Sequence, residues 1–317
     1  MNRYVIFHCY GGAHSSVTSA GIYLGLLPRN RVPSMRELLT VPHYDGEEPI
    51  PLGHFRFMGR DQRSRAVFVL GKHMMGPPIN RLMAVIAGIY GCAGNVFSVD
   101  TTAFINVLMV IGGYTSRVLK LVRLGRPIVV LGTKLAYFKF VGLAHGAGQR
   151  LQANCCVEAA PLPAAARQKS IFYLCPEGFR YSLLVAGCHV LAGASEESLL
   201  CWARQQNFIG AIGSVLYVGA ADGYQVYVVG VGREPGLAGR VIRELRYFLD
   251  VPQSHCLVVE PAIQSSLLGV LARKGSWCLR LSHRYDVWEE RLFRKYMNIC
   301  QRSSNDVKVR IEEGILD

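Results

Sequence analysis

The sequence predicts an α/β protein made of two tandem copies of one domain, each a mostly parallel sheet flanked by helices. Three observations carry that expectation. Short apolar, β-branched runs alternate with longer helical patterns, as buried parallel strands and their crossover helices do. Each half opens on a strand, a loop and a helix, an arrangement like a P-loop. The second half also repeats the first. Ser170–Gly193, SIFYLCPEGFRYSLLVAGCHVLAG, aligns with the stretch that opens at Tyr4, YVIFHCYGGAHSSVTSAGIYLG, so that Cys9 meets Cys175, Gly12 meets Gly178 and Ser16 meets Ser182. Further on, GHFRFMG (Gly53–Gly59) meets GSVLYVG (Gly213–Gly219), and VFVLG (Val67–Gly71) meets VYVVG (Val226–Gly230). A repeat of this length marks a duplicated domain rather than a solenoid. The expected division is 1–148, with the intact site, and 170–300, a degenerate copy. An Ala- and Pro-rich linker, 149–169, joins them, and 301–317 is expected as a tail.

Tyr4–Cys9 is a short apolar run that reads as the first strand, and Ser15–Leu27 as the first helix. A Pro-rich segment follows, holding one short helix from Ser34, with Glu37 at the capping-box spacing. Phe55–Met58 and Ala66–Leu70, joined by a polar turn, read as a hairpin. Pro77-Pro78 opens a helix towards Tyr90. Val96–Val99 is expected as a strand, and Thr102 to about Leu121 as a helix interrupted at Gly112-Gly113. Pro127–Leu131 is expected as a final strand, with a closing helix from Lys134 to Leu143.

Half of the 317 residues are apolar, which excludes disorder, and Met1-Asn2-Arg3 leads straight into a strand with no secretory signal. The most apolar stretch, Thr102–Gly113, is too short to span a bilayer. The expectation is a cytoplasmic protein without a membrane partner. Ten cysteines, none in a CxxC pair, predict reduced thiols and no metal site. The net charge of +13 is uneven: residues 1–150 hold 17 Lys and Arg against 6 Asp and Glu, whereas 170–317 hold 16 against 15. Positive potential on one half suits a phosphorylated small molecule or a nucleotide. The cations are dispersed, with no Lys/Arg run, which speaks against nucleic acid.

The chemistry is expected in the first loop. Gly11, Gly12, Ala13, His14, Ser15 and Ser16 lie between a strand and a helix N-terminus, where free N–H groups and the helix dipole favour an anion. Asn106, Ser116, Arg117 and Arg126 form a second polar set that the carboxyl edge of a parallel sheet would bring to the same ligand. Two residues are candidates for catalysis. Cys9, in the pattern C-x-x-G-x-x-x-S, is similar to the nucleophile of low-molecular-weight tyrosine phosphatases and of phosphocysteine sugar-transport subunits, although Ser15 stands where the phosphatase pattern has arginine. The alternative is a buried strand-end cysteine. His14 stands where a Walker lysine would, which excludes a conventional ATPase and leaves an acid–base or phosphate-contacting role. No cofactor is required beyond a magnesium-bound nucleotide as one form of the ligand. The second copy has Phe179-Arg180-Tyr181 in the loop, Gln264-Ser265-Ser266 near the Asn106 position and Ser276-Trp277 for the Arg-Pro pair, so it keeps the scaffold and not the polar set.

HCYGGAHSS followed by AGIYLGLLP, the stretch GGYTSR and LGRPIVVLGT together resemble the bacterial family called domain of unknown function 3189, found mainly in spore-forming Gram-positive bacteria, over about residues 3–145. The resemblance implies a domain boundary and marks His14, Ser15, Ser16, Asn106 and Arg117 as typical positions, and it implies no activity. Three functions follow as expectations: binding of a phosphorylated metabolite or nucleotide, phosphoryl transfer using Cys9 or His14, or a non-enzymatic scaffold whose two lobes pair within the chain.

Overall fold

The computed structural model describes residues 4–46, 51–153, 168–176, 181–206, 208, 210–260 and 300–314. The chain forms two compact units, 1–80 with 87–161, and 81–86 with 162–317. Each holds a four-stranded sheet.

In the first unit β1 (Tyr4–Cys9) lies between β3 (Ala66–Gly71) and β4 (Val96–Asp100) and runs parallel to both. The hairpin expected from the turn chemistry is present: β2 (Phe55–Arg60) runs antiparallel along β3, giving the order β2-β3-β1-β4. Val5, Phe7, Val67 and Val69 are fully buried, as continuous apolar runs covered on both faces should be. Helix α1 (Ser15–Leu24) follows β1 and packs its Val17, Ala20 and Ile22 into this core. In α2 (Met35–Thr40) the capping box forms as its spacing predicts. Ser34 Oγ accepts from the Glu37 N–H at 3.2 Å, and Glu37 Oε2 accepts from the Ser34 N–H at 2.7 Å. Between β3 and β4 runs α3 (Ile79–Ile89), just after Pro77-Pro78.

After β4 the structure departs from the sequence expectation. Thr102–Phe104 is a single 3-10 turn, and α4 (Val107–Arg117) begins at its Asn106 cap and runs unbroken through Gly112-Gly113. Pro127–Leu131 is no strand but the middle of α5 (Val122–Leu135), and α6 (Tyr137–Ala153) replaces the closing helix expected from Lys134. Five β-branched or apolar residues in a row suit either state. The wider spacing Leu121, Leu124, Ile128, Leu131, Leu135 is helical. Glycine settles the geometry. A Cβ on Gly112 would lie 2.4 Å from the Val129 amide nitrogen, and one on Gly125 2.4 Å from that of Ser116, so α4 and α5 meet backbone to backbone.

The second unit has β5 (Ser170–Pro176), β6 (Val215–Ala221), β7 (Tyr224–Gly232) and β8 (Cys256–Val259) in the order β6-β7-β5-β8, with the same strand directions. Both hairpins carry an irregularity at matching places, between Phe57 and Gly59 and between Tyr217 and Gly219. Its helices are α7 (Tyr181–Val190), α8 (Glu196–Gln205) and α9 (Pro235–Phe248). The tail expected from 301 is helical over 300–313. Cys300, Ser304 and Val307 are buried, and Ile311 packs on the same core, because their spacing gives one apolar helical face. Cys155-Cys156, Gly178–Arg180, Gln264–Ser266 and Ser276-Trp277 lie outside the described residues. Among the described residues no single helix is long and apolar enough to cross a membrane.

Candidate functional site

The carboxyl ends of β1, β3 and β4 meet at one edge of the first sheet, with Cys9 beside Gly71 and His8 beside Asp100. The ladder continues past the strands, since the Lys72 N–H donates to the Cys9 carbonyl and the His73 N–H to that of Tyr10. The loop after β1 is therefore held along its first residues. Gly12 then turns it back with φ +69°, and a Cβ there would meet the Gly71 amide nitrogen at 2.6 Å. Only glycine allows both the angle and the approach. Gly11 has open space around its Cα and no positive φ, so of the two expected glycines one sets the geometry.

This turn aims the Gly12 N–H at Cys9 Sγ, 3.1 Å away, while Ser16 Oγ lies 3.2 Å from the same sulfur. Ser15 and Ser16 are both buried in the first turn of α1, and Ser15 Oγ accepts from Thr101 Oγ1 at 3.0 Å. His14 is the N-cap residue, and its side chain caps none of the first-turn amides. The helix thus presents its N-terminal amides beside the thiol.

The second expected set divides. Asn106 caps α4, with Oδ1 accepting from the Met109 N–H at 3.0 Å, and its Nδ2 donates to the Gly132 carbonyl, tying α4 to α5. Both polar atoms of its side chain are engaged within the helix pair. His14, Ser116 and Arg126 do come together, on a carboxylate that sequence reasoning missed. Asp45 Oδ1 accepts from His14 Nε2 at 3.1 Å and from Ser116 Oγ at 3.2 Å, and Oδ2 accepts from Arg126 Nε at 2.8 Å. The Asp45 N–H donates to the Ala13 carbonyl, and Arg117 donates to the next carbonyl, that of Gly46. Burial alone would raise the Asp45 carboxyl, but hydrogen bonds from His14 and Arg126 outweigh it and hold its pKa below the usual carboxylate value. His14 is packed as well as bonded, for a Cβ on Gly113 would lie 3.5 Å from its Cε1. This carboxylate clamps the loop to the α4–α5 pair.

Arg56 was missed too. Because β2 is antiparallel, its first residues lie at the carboxyl edge of β3, with Arg56 opposite Val69. Its guanidinium donates to the Gly12 carbonyl and lies within electrostatic reach of Cys9 and Arg117. Burial and the neighbouring Arg117 charge lower its pKa, with Cys9 opposing them. No carboxylate among the described residues pairs with Arg56 or Arg117. These two guanidinium groups bring positive charge to the side of the loop where Arg56 meets the Gly12 carbonyl. The hairpin pattern was the available signal, since an antiparallel first strand places its start at this edge.

A separate charged cluster lies at the ends of β1, β3 and β4. Lys72 is fully buried and its Nζ lies 2.5 Å from Asp100 Oδ2. His8 Nε2 donates to Asn80 Oδ1 at 2.5 Å, and its buried Nδ1 has no hydrogen-bond partner. Burial, reinforced by Lys72 and opposed by Asp100, lowers the His8 pKa to about 4, which leaves the ring neutral.

Residues 4–147 match the model of a family described as Protein of unknown function (DUF3189). No curated protein and no solved structure matches the chain.

Proposed function

We propose that this chain, whose residues 4–147 match the DUF3189 model, binds a phosphorylated small molecule or a nucleotide at the loop from Tyr10 to Ser16. The observation that carries the reading is the Arg56 guanidinium on the Gly12 carbonyl, within electrostatic reach of Arg117, in the loop that leads into α1, whose first amides no side chain caps. A phosphate would accept from the amides and neutralise both guanidinia, as the helix dipole and bidentate arginine geometry favour. The matching strand order, directions and hairpin irregularities of the two sheets support a duplicated domain, in which Leu216 of β6 holds the place that Arg56 holds in β2.

The test is a thermal-shift screen of inorganic phosphate, phosphorylated sugars and nucleotides, with and without magnesium, on the wild type and Arg56→Gln. A ligand raises Tm by mass action, and the shift shrinks in the variant. No shift with any compound rejects the reading.

A second reading, phosphoryl transfer through Cys9, is favoured by one specific contact set. The sulfur accepts from the Gly12 N–H and lies beside Ser16 Oγ, so it stands at the end of β1 between the loop and the first turn of α1, where a nucleophile would be held. Cys9→Ser separates the two readings: ligand protection persists under both, and hydrolysis of an aryl phosphate is abolished only under the second.

A further inference from the structure

The outer face of the α4–α5 pair is apolar to a degree that the rest of the described chain is not. Of the twenty exposed large apolar side chains among the described residues, eleven lie between Val107 and Phe138. On α4 they are Val107, Val110, Ile111, Tyr114 and Val118, one helical stripe opposite the buried Met109, Gly112 and Ser116. The α5 stripe is Leu121, Leu124, Leu131 and Leu135, opposite the buried Gly125, Val129 and Gly132. Val107 is 71% exposed, Leu124 63% and Leu135 68%. The inward faces are thus used up in packing, and the outward apolar stripes are exposed among the described residues. Scattered exposed leucines need no explanation; a contiguous pair of stripes does.

Charge selects the occupant. From Thr101 to Val157 the chain contains no Asp or Glu, whereas Arg117, Lys120, Arg123, Arg126, Lys134 and Lys139 all fall on or beside the two helices. Arg117 and Arg126 turn inward to Gly46 and Asp45. Lys120, Arg123 and Lys139 are exposed and Lys134 is half-buried. A second copy of this face would bring like charges together over an apolar contact. An anionic lipid surface would meet the same cations with headgroup charge and the same stripes with its acyl boundary. We propose that the α4–α5 pair lies flat on an anionic membrane surface, with Leu124 and Leu131 inserted and Lys120 and Arg123 at the headgroups. The sequence-based exclusion of a membrane partner concerned spanning, which needs a long helix; lying on the surface does not.

The experiment is flotation of the full chain with vesicles of phosphatidylcholine alone and of phosphatidylcholine mixed with phosphatidylglycerol. The variants are Leu124→Glu/Leu131→Glu and Lys120→Gln/Arg123→Gln. All four positions are outward-facing, and circular dichroism and Tm check that both variants fold. The expected result is flotation with phosphatidylglycerol vesicles only, abolished by the leucine variant. Removing two cations lowers the partition coefficient about thirtyfold. No flotation of the wild type, or flotation untouched by either variant, overturns the proposal. So does a wild-type dimer in solution that the leucine variant splits, which would make a second copy the occupant.

Discussion

The Asp45 carboxylate ties three stretches of the first unit together. It is one of few acids in a strongly basic half, it stands at positive φ, and it accepts from three separate segments. Removing it leaves His14, Ser116 and Arg126 facing a buried vacancy. Asp45→Ala should cost roughly 3 kcal/mol in urea unfolding, and a loss below about 0.5 kcal/mol, typical of a surface change, would contradict the clamp. Because its folded pKa is depressed, this carboxylate stabilises the fold above the unfolded value near ~4 and loses that contribution as pH falls through the folded one. His8 acts in a different window. Its pKa in the fold is about 4, so between the unfolded value of about 6.5 and that point the unfolded chain binds the extra proton. Stability should therefore fall by about 2 kcal/mol from pH 7 to pH 5. His8→Gln should flatten the profile over that interval, and an unchanged slope would remove His8 as its cause.

At the scale of elements, the α4–α5 contact depends on missing side chains. Gly112→Ala places a methyl 2.4 Å from the Val129 nitrogen and should cost at least about 2 kcal/mol. Gly146→Ala, in α6 with nothing within 4 Å of the new Cβ, should instead stabilise by about 0.5–1 kcal/mol. Urea titrations of both variants check the contrast, and equal effects would refute it. The same contact explains what could be read from the sequence here. Strands β1 to β4, the hairpin and the capping box each have a local cause, so the residues themselves announce them. Pro127–Leu131 has local β character, and its helix is selected by packing against Gly112 and Ser116, residues distant in sequence. Likewise Cys9, Gly12 and Ser16 were legible as a unit because the loop is local. Asp45 and Arg56 reach it through a Pro-rich segment and a sheet register, which no short pattern records.

Across the whole molecule, two sheets of one topology carry unequal chemistry. The first has Arg56 and Arg117 at its loop and the family match; Leu216 holds the position in β6 that Arg56 holds in β2. Hydrogen exchange on the full chain with a protecting phosphate compound should slow amides of residues 9–18 and leave those of 170–176 unchanged. Equal protection at both would give the second unit a site of its own.

The burial of Lys72 has one more consequence. Its amine is shut away against Asp100, while Lys120 and Lys139 stand in solvent. Amine-reactive reagents will label the exposed pair at once and Lys72 only when the sheet edge opens. Peptide mapping of labelled samples over time then turns this lysine into an internal clock for local unfolding beside the loop.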